Sequence, residues 1–251
     1  MNEQLQQLEA SRHHPSLQVA PEQRPAIVGE ILHHLMRPYF LKRTPEMQAK
    51  FGEPQYQAFI QMMADYCLRE YIENPEPRLT IEFIKGLHRT FYYNAPSVPM
   101  TAVDGTKGTI VPGEFKTISV SVWQGSEWVA TPAPETVHRD MARLLDYLHD
   151  EGVPLFQRYI QSMFEFTAIH PFPDSNGKIA LVLGDLFLLK QGIHPPFFAK
   201  YRWQNKDALY SEAARFSIGA ERDISGVYSV VLGLYAECGL GSASEAESAD
   251  A

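Results

Sequence analysis

The stretch LFQRYIQSMFEFTAIHPFPDSNGKIALVLGDLFLLKQ, residues 155–191, decides how this chain folds. Its second half, Lys178 to Lys190, is apolar on nearly all sides, with Gly184 and Asp185 the interruptions. A helix without a polar face is normally the surrounded one of a bundle. The first half places Phe156, Ile160, Met163, Phe164 and Thr167 at helical spacing and leads into Ile169-His170. Between the two lies His170-Pro171-Phe172-Pro173-Asp174-Ser175-Asn176-Gly177-Lys178, a run of turn-forming residues. Gly192, with Pro195 and Pro196 behind it, stops the central helix.

Outward from this pair, further helices are expected over Ala26 to Leu41 and Gln55 to Ile72, the latter ended by Asn74-Pro75 and Pro77. Thr80 reads as an N-cap for a helix through Ile84, Leu87 and Phe91, and Thr136 as one for a helix through Met141, Leu144 and Leu148. From Gly113 to Ala130 the period changes to two: Ile118, Val120 and Val122 alternate with Thr117, Ser119 and Ser121. That is strand patterning, and Gln124-Gly125-Ser126 supplies a turn for one hairpin. Helices are also expected at Lys206–Phe216 and Ile224–Glu237. The fold class is therefore all-α, a helical bundle with one β-hairpin.

Composition bounds the rest. The chain has 251 residues, 45% of them hydrophobic and 21% charged, as in ordinary globular proteins. Residues 1–50 read as an N-terminal helical extension whose first ~24 residues are loosely ordered, 51–238 as the main domain, and 239–251 as a disordered tail. No apolar run reaches the roughly 18 residues that cross a bilayer, and no Sec-type leader is visible. A net charge of −8 without a basic block argues against a nucleic-acid partner. Cys67 and Cys238 are too few for a disulfide framework or a zinc site, so a reducing, cytoplasmic setting is the expectation. His13-His14 and His33-His34 diverge by ~100° around a helix and read as surface pairs.

The loop before the central helix carries the chemistry. Free N–H groups from about Ser175 to Lys178, at a helix amino end, favour an anion. Asp174 offers a hard oxygen suited to Mg²⁺ shared with substrate phosphates, and an N-cap role does not exclude it. Asn176 and Gly177 suit a tight turn, Lys178 adds a positive charge, and His170 is the one group there able to take a proton near neutral pH.

The nine residues His170 to Lys178 resemble the signature of the Fic (Fido) family, His-Pro-Phe-x-(Asp/Glu)-Gly-Asn-Gly-Arg, with six direct matches. Leu79–Ile84 with His88, Gly113–Val122 and Pro132–Leu148 are similar to the family's helix before the flap, its flap strand and the helix that follows. The resemblance implies a Fic-like bundle that transfers AMP, or a related phosphate-linked group, from ATP or another nucleotide to a Ser, Thr or Tyr hydroxyl of a target protein. It implies His170 as base, Phe172 as the buried anchor of the loop, Asp174 as the Mg²⁺ ligand, and Ser175, Asn176, Gly177 and Lys178 around the phosphates. Thr117, Ile118, Ser119 and Val120 would dock the target as an added strand. Tyr210 borders an adenine pocket on this reading, although plain packing accounts for it as well.

Three positions depart from the pattern. Ser175 replaces Gly, Lys178 replaces Arg, and Leu181 stands where many AMP-transferring members carry a second Arg. The resulting loss of a fork and a cation weakens the grip on a triphosphate. A catalytically weakened binding or interaction module is the alternative. No intrinsic glutamate clamp is expected, because neither Ser217–Glu221 nor Glu73-Asn74 fits the pattern and Leu181 offers no partner. An antitoxin-like inhibitor, delivery to a host by a non-Sec route and the oligomeric state are left open.

Overall fold

The computed structural model describes residues 2–41, 52–76, 78–93, 95–101, 105, 107–124, 127–197 and 225–237. Among the described residues there are eight α-helices: α1 (Glu3–Ser11), α2 (Arg24–Leu41), α3 (Glu53–Cys67), α4 (Ile81–Phe91), α5 (Val137–Leu148), α6 (Leu155–Ile169), α7 (Asn176–Lys190) and α8 (Ser225–Glu237). Two antiparallel ribbons interrupt them, β1 (Val98–Thr101) with β2 (Lys107–Ile110) and β3 (Ser121–Gln124) with β4 (Glu127–Ala130). The expected helices at Lys206–Phe216 and the tail at 239–251 lie outside the described residues. No described helix is long and apolar enough to cross a membrane.

α7 is the surrounded helix its sequence requires: every residue from Ile179 to Leu189 is buried. α6 packs along it most extensively, α2 and α4 cover other faces, and α5 backs α6. Gly184 permits the close approach of α6, since a Cβ there would overlap Met163 and lie 2.8 Å from Tyr159 Cε2. Asp185 is fully buried beside it; its Oδ1 accepts from Tyr159 Oη at 3.3 Å. Burial lifts its carboxyl to about 8.

Local signals placed most helix ends. Thr80 Oγ1 accepts the Phe83 amide at 3.1 Å, as an N-cap should. Thr136 occupies the N-cap position of α5, yet its hydroxyl turns back to the Ala133 carbonyl at 3.1 Å, so the expected cap bond is not made. Beyond α3 the chain passes through a π turn, Leu68–Ile72, whose end is held from outside. Lys190 Nζ donates there to the carbonyls of Tyr71, Ile72 and Asn74.

The amino-terminal segment departs from expectation. Instead of being loose, it forms α1, capped by Asn2 Oδ1, which accepts from Gln4 and Leu5. Leu5 and Leu8, one turn apart, are buried in the same core as α6 and α8. Glu9 Oε1 reaches across to accept the Phe156 amide at 2.6 Å, satisfying a donor at the start of α6. Leu17, Val19, Gly192 and His194 then link through two main-chain bonds of 2.8 Å.

The strand patterning also starts later than its alternation suggests. Thr117, Ile118 and Ser119 are irregular, Val120 closes the ribbon by accepting from Thr131 N–H at 3.0 Å, and pairing begins at Ser121↔Ala130. The earlier residues are engaged elsewhere: Lys116 N–H bonds Pro171, and Ile118 packs over Gly108 of β2. The β1–β2 ribbon itself was hidden in the sequence, because Pro99 and Gly108 break its alternation.

Gly184→Ala tests the packing account. Alanine favours an isolated helix by about 1 kcal/mol, but overpacking a core costs about 1–3 kcal/mol. Urea unfolding should show a net loss of stability; a gain would refute the close approach of α6 and α7.

Candidate active site at the amino end of the central helix

The motif loop runs from His170, the C-cap of α6, to Ser175, the N-cap of α7. Both residues are left-handed, with φ of 51° and 65°. This conformation costs a non-glycine residue about 1–2 kcal/mol, so its surroundings must impose it. Phe172 anchors the loop: it is fully buried and stacks on His88 at 4.0 Å, with Phe115 at 5.3 Å. His88 Nδ1 accepts the Gly113 amide at 2.8 Å. Gly113 has a φ of 89°, and a Cβ there would lie 2.8 Å from Arg89 and 3.1 Å from the Lys85 carbonyl, so glycine is required.

Asn176 does something the sequence did not announce. Its Oδ1 accepts the Phe172 amide at 2.9 Å while its Nδ2 donates to the Phe172 carbonyl at 2.8 Å. The side chain is 1% exposed, so it braces the loop instead of facing a phosphate. The donors at the helix start are correspondingly fewer than expected. Lys178 N–H turns back to the Ser175 carbonyl at 3.0 Å, and the amides of Asn176 and Gly177 bond nothing among the described residues.

Asp174 is exposed, and its Oδ2 accepts from Tyr92 Oη at 3.0 Å. The same phenol lies 3.3 Å from Ser175 Oγ, which Lys178 Nζ approaches at 3.4 Å. Burial raises the Tyr92 hydroxyl above its ordinary value, so it stays a donor to the carboxylate. Among the described residues no three metal-ligating side chains cluster. One exposed carboxylate oriented by a phenol fits a Mg²⁺ ion that takes its other ligands from phosphates and water.

His170 sits beside a buried cation. Lys116 is 2% exposed; its Nζ donates to Thr131 Oγ1 at 2.8 Å and to the Ile169 carbonyl at 3.4 Å. Burial, then the Lys116 charge, lower the imidazole of His170 to about 4, against weaker pulls from the Thr167 carbonyl and Asp174. Burial is the main cause that drives His88 down to about 4, with Asp174 opposing and the charges of Arg89 and Lys178 adding to it. His170 Nδ1 is buried without a hydrogen bond among the described residues. The ring is neutral at pH 7 and able to accept a proton.

His170, Asp174, Ser175, Gly177 and Lys178 lie on the motif loop and the first turn of α7, whereas the Asn176 side chain braces that loop. Leu181 is 9% exposed within the core. Tyr210 lies outside the described residues. Thr117 to Val120 are linked to the loop through the neighbouring Lys116. Sequence reasoning gave no role to Tyr92 or Lys116. A lysine directly before an alternating run was the available signal for Lys116; nothing local marked Tyr92, which lies 82 residues from Asp174.

Two measurements follow. Asn176→Ala leaves the Phe172 amide and carbonyl buried and unpaired, at about 1–3 kcal/mol each, so the midpoint of urea unfolding should fall clearly. Stability should also peak near pH 6.5. Below it, the unfolded chain takes up protons that His88 and His170, at about 4 in the fold, refuse, so stability falls as pH drops toward 4. Asp185, protonated in the fold up to about 8, offsets one of these and makes stability fall as pH rises from 6.5 to 8. Each limb amounts to about 1.4 kcal/mol per pH unit per net proton, and Asp185→Asn should flatten the alkaline one.

With this geometry in view, the chain can be set beside known proteins. Residues 78–188 match the model of the Fic/DOC family. The protein adenylyltransferase fic-1 of Caenorhabditis briggsae is 26% identical over 120 residues, which are 47% of this chain and 20% of that protein. The chain thus matches about a fifth of the length of this curated relative. A Fic family protein from Desulfovibrio desulfuricans superposes with a TM-score of 0.61 at 17% identity, covering 86% of this chain and 64% of the other. A Fic domain-containing signalling protein from Bacteroides thetaiotaomicron gives 0.56 at 19% identity, covering 94% and 91%. The matched segment runs from before α4 to near the end of α7 and so includes residues 170–178, and over it the chain is similar to the Fic/DOC family and shares the fold of solved Fic-family proteins.

Proposed function

We propose that this protein is a nucleotide-dependent protein transferase that moves AMP, or a related nucleoside monophosphate, onto a hydroxyl of a target protein. The observation that carries the reading is the meeting of His170, the Asp174 carboxylate and the free amides of Asn176 and Gly177 at the amino end of α7. The curated relatives are named protein adenylyltransferases, which supports the same class.

In this reading the amides and Lys178 hold the phosphates, and Asp174, oriented by Tyr92, holds Mg²⁺, which supplies charge neutralisation. The target hydroxyl attacks the α-phosphorus, the bond to the bridging oxygen breaks, and pyrophosphate leaves. His170 takes the hydroxyl proton. Most of the rate enhancement comes from positioning and from charge stabilisation. A polyphosphate beside His170 strengthens it as a base, since nearby negative charge favours the imidazolium. The target segment would approach along the β3–β4 ribbon, a two-stranded sheet among the described residues.

One observation favours the alternative of a binding module. Leu181 is packed in the core where many AMP-transferring relatives carry a second cation, so among the described residues the grip on phosphate rests on Lys178 and the main-chain amides. Intact mass spectrometry after incubation with Mg²⁺ and each nucleoside triphosphate separates the two. An increment of one nucleoside monophosphate on the protein or a supplied target, absent in His170→Ala, is the expected result. No increment with any donor, in a chain that still binds nucleotide by calorimetry, would replace the transferase with the binding module.

A further inference from the structure

Lys116 makes a set of contacts that its position in the sequence does not explain. It is 2% exposed, and a lysine is rarely buried without a task. Its main-chain amide donates to the Pro171 carbonyl at 2.9 Å, and its ammonium donates to the Ile169 carbonyl at 3.4 Å. Those two carbonyls flank His170 on either side. The ammonium also donates to Thr131 Oγ1 at 2.8 Å, and Thr131 in turn bonds the Val120 carbonyl through both its hydroxyl, at 2.8 Å, and its amide, at 3.0 Å. Val120 and Thr131 are the last rung at the base of the β3–β4 ribbon.

We infer that Lys116 is a positioning residue that clamps His170 in its left-handed conformation and ties that conformation to the base of the ribbon. The clamp supplies what the strained φ of 51° needs: two carbonyls fixed by donors on one residue. It also gives the ribbon a direct mechanical route to the loop. A segment that seats on β3–β4 loads the Val120–Thr131 rung, and the ammonium transmits that load to the carbonyl preceding His170. The charged groups around the imidazole are Lys116 from the ribbon side and Asp174 from the loop. The role assigned to the clamp in transfer rests on the reading of His170 as the base; the clamp itself does not.

Hydrogen exchange on the free protein tests the clamp without nucleotide. Lys116→Met keeps the stem and removes the ammonium; the amides of His170 and Thr131 should both exchange at least ~10-fold faster, while Lys116→Arg stays within ~3-fold of the parent. Thr131→Val loosens the clamp from the ribbon side, and it should speed exchange at His170 by at least ~3-fold even if Lys116→Met does not fold. Acceleration confined to the ribbon in Thr131→Val would overturn the inference. In turnover, Lys116→Met should lower kcat at least ~10-fold with nucleotide Kd within ~2-fold, and Lys116→Arg should recover most of it; equal loss in both parameters would reduce Lys116 to a general structural role. Should the parent protein transfer nothing, the functional reading fails while the exchange data still decide the clamp.

Discussion

An α-helix with no polar face has to be enclosed, and the enclosure of α7 is the constraint on which this structure depends. From Ile179 to Leu189 every side chain is buried, so helices must be supplied on all sides. Satisfying that demand costs the chain its freedom elsewhere: Gly184 gives up a side chain so that α6 can approach, and Asp185 is carried into the core with its carboxyl protonated. The helix ends are the only places where such a segment can meet water. Its amino end, with main-chain donors and no intrahelical acceptors for them, is where polar chemistry becomes available.

Holding that end open takes as much structure as closing the core. The loop contains two left-handed residues that are not glycine, and three contacts compensate for them. Phe172 is sandwiched between His88 and Phe115, the Asn176 amide pairs with both main-chain groups of Phe172, and Lys116 grips the carbonyls around His170. None of the three reaches toward solvent. They leave the Asp174 carboxylate exposed and the Asn176 and Gly177 amides without a partner among the described residues.

The electrostatics follow from the same burial. His88 and His170 lie in surroundings that disfavour charge, and Lys116 adds repulsion at His170, so both rings are neutral at physiological pH. Negative charge brought near either ring would make it more basic. Lys178 Nζ donates to Ser175 Oγ at 3.4 Å, and position 181 is apolar.

The order of helices, the surrounded character of α7, the Thr80 cap and the grouping of His170, Asp174 and Gly177 were all legible in the sequence, because each depends on neighbours within a turn or a single loop. The exceptions share a cause. Asn176 read as a phosphate ligand because its type and position suit one, but which way an amide points depends on the main chain folded over it. Residues 1–24 read as loose because two leucines and a cap are a weak local signal, and α1 is ordered by a core contributed from far along the chain. Tyr92 and Lys116 had no local mark at all, since their partners lie 82 and 53 residues away. Sequence alone determined which segment must be buried and which residues stand at its mouth; tertiary structure decided which of those side chains face outward, because orientation is set by long-range hydrogen bonds and packing that no periodicity encodes.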